Sequence, residues 1–259
     1  MNHSESQKSV GRGVVFPPRT ITKNHSDVTK PHGGLFRPRT LAELSNLWCI
    51  TALVYEPVWR TRSTRILTKG RWSIDQELHT LVAMLHPHSG GAYLDVGCST
   101  GLYARTLASA VPDISVTLVD YSKPMLRQAR KRFRLADLAR ANFVQADAAC
   151  LPFRDGDFQG VVCGGTLNEF TEPEKVMGEM IRVLEPGGRC VVMHLCQKEK
   201  QIGLSAFLVR GVRALLRFGG VSLPDASWAD ELFRQAGFEL VSEESAGWMR
   251  MVLLQKSDH

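Results

Sequence analysis

The chain lacks most of what would mark a membrane protein, a disulfide scaffold or a metal centre. No run approaches the roughly 18 uncharged apolar residues that a bilayer span requires, and the N-terminus carries no apolar stretch of the secretory kind. The six cysteines, Cys49, Cys98, Cys150, Cys163, Cys190 and Cys196, form no C-x-x-C pair. They lie mostly inside apolar runs, which is the pattern of reduced, buried thiols in an intracellular protein and not of zinc ligands or disulfides. His79, His86 and His88 have no cysteine or acid at ligand spacing, so they read as surface residues and no metal site is expected. Internal repeats are absent too. These absences point to a soluble, cytoplasmic protein, with organelle import as the other reading of an arginine-containing, acid-poor N-terminus.

A basic partner surface is also missing from the bulk of the chain. The net charge is +6, but Lys8, Arg12, Arg19, Lys23, Lys30, Arg37 and Arg39 against Glu5 and Asp27 leave five of those charges in the first forty residues. The remainder sums close to neutral, so the strong overall basicity does not predict a nucleic-acid partner.

What is present is enough for one sizeable core: 259 residues, 44% of them apolar. Residues 1–40 are polar and punctuated by Pro17, Pro18, Pro31, Pro38 and Gly33-Gly34; they cannot bury enough apolar area to offset ordering entropy and are expected to form a flexible basic tail. Residues 41–90 read as a helical cap, its spacing broken at Pro57, with a helix from Ile74 to Leu85 stopped by Pro87. Residues 91–259 alternate short apolar runs with helical patterns: "AYLDVG", "SVTLVD", "ANFVQAD", "FQGVVCGG" and "GRCVVMHL" as strands, "GLYARTLASAV", "SKPMLRQARKRFRLA" and "PEKVMGEMIRVL" as helices. That alternation predicts an α/β, doubly wound, mostly parallel sheet. The C-terminal helix followed by "FELVSEES" and "WMRMVLLQK" predicts an antiparallel pair at its edge. Between the fifth strand and that helix, about 198–224, lies an insertion. Its Leu204, Phe207, Leu208, Val212, Leu215 and Leu216 share one helical face and Arg210, Arg213 and Arg217 another. Such a helix suits either a membrane surface or a lid packed on the core.

The stretch "YLDVGCSTGLYA" carries the first chemistry. In this fold ligands bind beyond the carboxyl ends of strands, and Gly97 and Gly101 permit a sharp turn and a close ligand approach there, ahead of a helix N-terminus. A dinucleotide fingerprint needs glycine at 97, 99 and 102, where the chain has Gly97, Ser99 and Leu102. A nicotinamide cofactor is therefore disfavoured. Asp120 ends the second strand, 19 residues after Gly101, at the place from which an acid accepts hydrogen bonds from both hydroxyls of a ribose, while Ser122 suits the N-cap of the next helix.

The turn resembles the D-x-G-x-G-x-G motif of class I S-adenosylmethionine-dependent methyltransferases, with Ser99 in place of the middle glycine. "FVQADAACLPFRDGDFQGVV" and "MIRVLEPGGRCVVMHL" match later segments of the same superfamily in order and spacing, over roughly Ala92 to Leu195. The resemblance implies a Rossmann-like seven-stranded fold, S-adenosylmethionine as cofactor, and a cofactor site made of Asp95, Gly97, Cys98, Ser99, Gly101, Asp120, Tyr121, Met125, Asp147, Ala148 and Gly164, with Asp147 against the adenine amino group. Within the superfamily, "GGTLNEFTEPEKVMGEMIRVLEPGGRCVVMHL" is most similar to the quinone-ring C-methyltransferases of ubiquinone and menaquinone synthesis. It departs from them by one extra residue before Glu174 and by His194 where that group carries an acid.

S-adenosylmethionine is already a potent methyl donor, so the protein has chiefly to align a nucleophile and exclude water. A carbon or phenol nucleophile gains from losing a proton, which suits a histidine. The candidates on the acceptor side are therefore His194, with a rim histidine as its other reading, Glu169, with a solvated loop acid as its other reading, and Asn168, which the resemblance places after strand four. Base-methylating enzymes usually carry D/N-P-P-aromatic after that strand, and here it reads Gly164-Gly165-Thr166-Leu167, which favours a small-molecule acceptor over a nucleic acid. A non-catalytic protein that binds the cofactor is the other class of function. Trp48, Tyr55 and Trp59 in residues 41–73, with Phe207 and Phe218 in 198–224, would make an aromatic cover over the carboxyl edge. The expected substrate is then hydrophobic, such as a quinol or isoprenoid phenol.

Overall fold

The computed structural model describes Glu56, residues 60–197 and residues 223–257. The basic N-terminal stretch, Trp48, Tyr55, Trp59 and the 204–218 amphipathic run all lie outside the described residues.

Two helices lead into the core, α1 (Thr61–Leu67) and α2 (Ile74–Leu85). The second starts from a capping box in which the Ser73 side chain accepts from Gln76 N while the Gln76 side chain accepts from Ser73 N. The core then runs β1 (Ala92–Val96), α3 (Leu102–Ala110), β2 (Ser115–Asp120), α4 (Lys123–Arg132), α5 (Leu135–Leu138), β3 (Ala141–Gln145), β4 (Phe158–Gly164), a 3-10 turn (Leu167–Glu169), α6 (Pro173–Val183), β5 (Leu184–Leu195), α7 (Ala226–Gln235), β6 (Phe238–Ala246) and β7 (Met249–Lys256).

The seven strands form one sheet in the order β3-β2-β1-β4-β5-β7-β6. The β1–β2, β1–β4, β2–β3 and β4–β5 pairs are parallel, and β7 enters antiparallel between β5 and β6. This is the Rossmann-like doubly wound sheet that the alternation predicts, with strand order reversing at β1 and β4. The central strands divide their side chains between two apolar layers. Leu94, Val96, Val161, Cys190 and Val192 meet α6 and α7, whereas Tyr93, Val116, Leu118, Val162 and Val191 meet α2, α3 and α4.

Two segments differ from expectation. "SKPMLRQARKRFRLA" is not one helix: α4 ends at Arg132, and Phe133 and Arg134 adopt extended backbone before the short α5. The cause is Phe133, which turns into the core and meets Phe143 edge-on at 5.5 Å, while Asp137 collects Arg134 and Arg140 across the break. The fifth strand also begins earlier than "GRCVVMHL". It pairs Leu184 with Phe158 and absorbs Pro186-Gly187 in a register shift before Arg189 pairs with Gly160. Of the cysteines, Cys98, Cys163, Cys190 and Cys196 are buried free thiols, whereas Cys150 is exposed.

Candidate functional site

The turn after β1 is built on alternate residues in the left-handed region: Gly97 at φ 66°, Ser99 at φ 50° and Gly101 at φ 75°. A serine thus holds a conformation that glycine adopts at less cost, and its amide donates to Asp120 Oδ2 at 2.8 Å, which fixes it there. Gly101 is required by packing, since a Cβ there would lie 2.8 Å from Leu118 Cδ2 and 3.1 Å from Ala129 Cβ. At Gly97 a Cβ would lie 2.6 Å from Thr166 Oγ1, so glycine lets the end of β4 cross directly over the turn.

Two acids stand behind this turn. Asp120 accepts from Ser99 N and, through Oδ1, from Ser122 N at 2.8 Å; it is 7% exposed, and burial pushes its carboxyl up to about 6. Asp95, 2% exposed, accepts from Ala104 N at 3.1 Å through Oδ2, and its Oδ1 has no partner. Burial, reinforced by the charge of Asp120, pushes Asp95 up to about 7. Among the described residues no lysine or arginine bonds either carboxylate. The same burial raises the Cys98 thiol well above its usual range.

The other expected cofactor residues collect along the same edge, with different exposures. Met125 is buried in the first turn of α4, its Sδ 3.6 Å from Ser99 Oγ. Tyr121 is half-buried, and its carbonyl accepts from Gln145 Nε2 at 3.0 Å. Asp147 lies exposed beyond β3, its Oδ1 accepting from Ala149 N at 2.9 Å, with Ala148 half-buried against the core. Gly164 ends β4 with its backbone against the Tyr103 ring; a Cβ there would fall 1.5 Å from Tyr103 Cε2.

The acceptor-side candidates are dispersed. Asn168 is buried and occupied by the backbone of Leu195, donating to its carbonyl at 2.9 Å and accepting from its amide at 2.7 Å, so it ties the end of β4 to the end of β5. Glu169 is half-buried at the end of the 3-10 turn. His194 is 0% exposed and packs edge-on against Phe233 of α7 at 5.8 Å, and neither ring nitrogen has a hydrogen-bond partner. Burial and then the positive charge of Arg250 push its imidazole down to about 4.

One cluster was not anticipated from sequence. Arg60, Glu77 and Tyr103 meet in the interior: Arg60 Nη2 donates to the Tyr103 hydroxyl at 2.6 Å and pairs with Glu77, which also accepts from Tyr103. The Arg60 Nη1 group adds a 2.9 Å bond to Thr64 Oγ1. Burial raises the Tyr103 phenol well above its ordinary value, so it stays a neutral donor. Beside it, Glu56 accepts from Thr100 Oγ1 of the cofactor turn at 2.7 Å and pairs with Arg105 at 2.7 Å and Arg132 at 2.9 Å. Burial works to raise Glu56, but the Thr100 hydroxyl and the two guanidiniums outweigh it and hold the carboxyl low. The signal for Glu77 was available, because it falls on the apolar stripe of α2 with Leu81, Met84 and Leu85.

A pair of buried acids without a cation, one with an unpartnered oxygen, is an acceptor-only surface for a cationic, hydroxyl-bearing ligand. S-adenosylmethionine meets it: the ribose hydroxyls and the amine are donors, and positive charge nearby returns raised carboxyls to their ionised form. Asp120 would hold the ribose, Asp95 the charged end, and the turn from Gly97 to Gly101 the space between.

Comparison with known proteins agrees. The family model described as a methyltransferase domain matches residues 94–188. Over 128 residues the chain is 36% identical to the demethylmenaquinone methyltransferase of Thermus thermophilus, covering 49% of this chain and 58% of that protein. It is 34% identical over 139 residues to the ubiquinone/menaquinone biosynthesis C-methyltransferase UbiE of Desulfotalea psychrophila, 53% of this chain and 54% of the other. The chain thus spans little more than half the length of these two relatives. Against the demethylmenaquinone methyltransferase of Lactococcus lactis it is 30% identical over 176 residues, 61% of this chain and 70% of that protein. Solved structures share the fold: the [4+2]-cyclase SpnF at TM-score 0.65 and 21% identity, covering 88% of this chain and 100% of that one, and phosphoethanolamine N-methyltransferase 2 of Haemonchus contortus in complex with S-adenosylmethionine at 0.61 and 18%, covering 71% and 53%. With the turn, the two acids and the sheet order in place, and a relative of 30% identity covered over 70% of its length, the chain belongs to the class I S-adenosylmethionine-dependent methyltransferase family.

Proposed function

We propose that this protein transfers a methyl group from S-adenosylmethionine to a small apolar aromatic acceptor, a quinol or isoprenoid phenol. The observation that carries the methyl-transfer part is the pair Asp95 and Asp120 beside the left-handed turn, two buried acceptors with no cation of their own. The quinol part is supported by the names of the relatives above, which are menaquinone and ubiquinone methyltransferases. The cofactor, when bound, supplies an electrophilic methyl group on a sulfonium. Asp120 would accept from the ribose and the α3 N-terminus would orient the cofactor's polar end, while the amides of Cys98, Ser99 and Gly101 are spent on holding the turn itself and Tyr103 braces the Gly164 backbone. Glu169 takes the acceptor proton in this reading, because the side chain of Asn168 is occupied by Leu195 and a histidine of pKa about 4 is too weak a base to be useful near neutral pH.

The test is incubation with methyl-labelled S-adenosylmethionine and a panel containing a demethylated naphthoquinol, a prenylated phenol, a catechol acid and a small amine. Label on the naphthoquinol or the prenylated phenol is the expected outcome. Label on the catechol acid or the amine alone would discard the quinol acceptor. Cofactor binding without transfer to any of them would discard methyl transfer in favour of a binding role or another chemistry, a real alternative on a fold that a [4+2]-cyclase shares.

A further inference from the structure

The near-neutral sum of charge outside the first forty residues hides a local imbalance. Between Lys123 and Arg140 the chain has Lys123, Arg127, Arg130, Lys131, Arg132, Arg134 and Arg140, with Asp137 as the only acid. The carboxylates that reach this stretch are already committed. Asp137, buried, pairs with Arg134 at 2.8 Å and Arg140 at 2.6 Å, and Glu56 pairs with Arg105 and Arg132. Arg127, Arg130 and Lys131 are left on the exposed side of α4 and form no ion pair with an acid among the described residues. They line a shallow depression together with Phe133, Leu135 and Leu138, and Arg130 lies over the Phe143 ring at 5.8 Å.

A leucine completes the surface. Leu135 opens the short helix α5 and is 86% exposed, the most exposed of the large apolar side chains described. It is held outward by the same break in the helix that turns Phe133 inward, with Asp137 fixing both flanks. Free cations gathered around a protruding aliphatic side chain make a composite that water serves poorly. Phosphate groups alone would satisfy the arginines and leave the leucine wet, whereas the boundary of an anionic bilayer offers headgroup charge and an apolar layer at adjacent depths.

We propose that α4 and α5 dock this protein on an anionic phospholipid surface, with Arg127, Arg130 and Lys131 against the headgroups and Leu135 inserted below them. The inference stands apart from the quinol acceptor, because vesicle binding can be read with no substrate present. The experiment is flotation of the full-length chain with vesicles of phosphatidylglycerol and phosphatidylcholine, and with phosphatidylcholine alone, across a salt series. The wild type should bind the mixed vesicles, bind the neutral ones weakly, and lose the difference as salt rises. Arg127→Gln with Arg130→Gln and Lys131→Gln should lower partitioning roughly hundredfold, at about 1 kcal/mol per cation near such a surface. Leu135→Asn should lower it roughly tenfold with the charges intact. Thermal melting and cofactor affinity monitor the fold of both variants. The proposal is overturned if wild type ignores anionic vesicles, or if the triple variant binds as well as wild type, which would assign the binding to another basic segment. It is equally overturned if Leu135→Asn is without effect while the triple variant loses affinity for single-stranded RNA, which would make this a nucleic-acid surface.

Discussion

Two groups of buried ionisable residues sit toward the carboxyl edge of the sheet, one at β1–β2 and one at β5–β7, and they handle burial in opposite ways. At β1–β2, Asp95 and Asp120 are taken out of water with backbone amides for company and no cation, so both carboxyls are pushed up, to about 7 and about 6. At β5–β7 the charge is a cation and it is matched: Arg250, 2% exposed, reaches Asp230 at 2.6 Å and Glu243 at 2.7 Å. Its neighbour across the ladder, His194, is kept neutral, pushed down to about 4. The matched cluster ties β7 to β6 and to α7. The unmatched one holds its acids near neutrality or awaits a cation, and that asymmetry sets the end proposed for the cofactor apart more sharply than the glycines do.

The two ends should therefore respond to pH with opposite sign. Asp95 has its folded pKa raised above the unfolded value, so its burial costs nothing below about 4 and stability is lost as pH rises toward 7. At about 1.4 kcal/mol per pH unit, the shift from 3.8 to about 7 bounds the effect at roughly 4 kcal/mol. Asp95→Asn should remove that slope from the ligand-free protein. Measured by urea denaturation, the difference in unfolding free energy between variant and wild type should move in the variant's favour by up to this amount between pH 4 and pH 8, while cofactor affinity falls. A difference that stays constant across that range would mean Asp95 is already ionised and solvated, and the contrast between the ends would be lost.

His194 supplies the converse. Its folded pKa lies below its unfolded one, so its share of stability is present above about 6.5 and is lost as pH falls toward 4, to the extent of roughly 3 kcal/mol. His194→Leu keeps the apolar contact with Phe233 and removes the proton site. Relative to wild type it should therefore gain stability on going from pH 7 to pH 4. The two variants tested over one pH series should diverge in opposite directions, and parallel curves would show that the shifts do not arise from the separate environments described here.

The parts of this picture that depend on local chemistry were legible in the sequence. The period of apolar residues located β1 to β5 and α2, because a buried parallel strand needs a continuous apolar run and a surface helix needs a stripe. Ser122 was readable as a helix cap because caps act over three residues, and its hydroxyl does accept from Met125 N at 3.3 Å. What sequence could not supply were facts about distance. The break at Phe133 depends on Phe143 waiting in β3, and the meeting of Arg60, Glu77 and Tyr103 depends on three elements converging. The same limit applies to His194: its position at the end of β5 was readable, but its ring could be assigned to α7 only once α7 was placed over that face. The basic ridge on α4 was hidden in a sum, because Glu56 and Asp137 cancel arithmetically against arginines other than Arg127 and Arg130 and, among the described residues, leave Lys131 without an acid as well.

The smallest expected effect tests whether the cofactor end is also the more rigidly built of the two. Helix α4 begins there with Ser122, whose hydroxyl caps Met125 N and whose own amide is held by Asp120. Helix α7, which covers His194, begins with Asp225, whose side chain makes no capping bond and lies exposed. An N-cap side chain that bonds the first turn contributes about 1 kcal/mol, and one that does not contributes only through its charge near the helix dipole, a few tenths. Ser122→Ala should therefore lower the melting temperature by about 2–4 °C for a chain of this size, and Asp225→Ala should move it by less than about 1 °C. Cofactor affinity separates the two further. Loss of the Ser122 cap loosens the first turn of α4, on which the Asp120–Ser122 bond and the Met125 contact with Ser99 both rest, so affinity should fall severalfold, while Asp225→Ala leaves it unchanged. If instead the Asp225 variant weakened the cofactor and the Ser122 variant did not, the ligand would have to be sought at the β5–β7 end, and the matched cluster around Arg250 would need to be reread as part of a binding site.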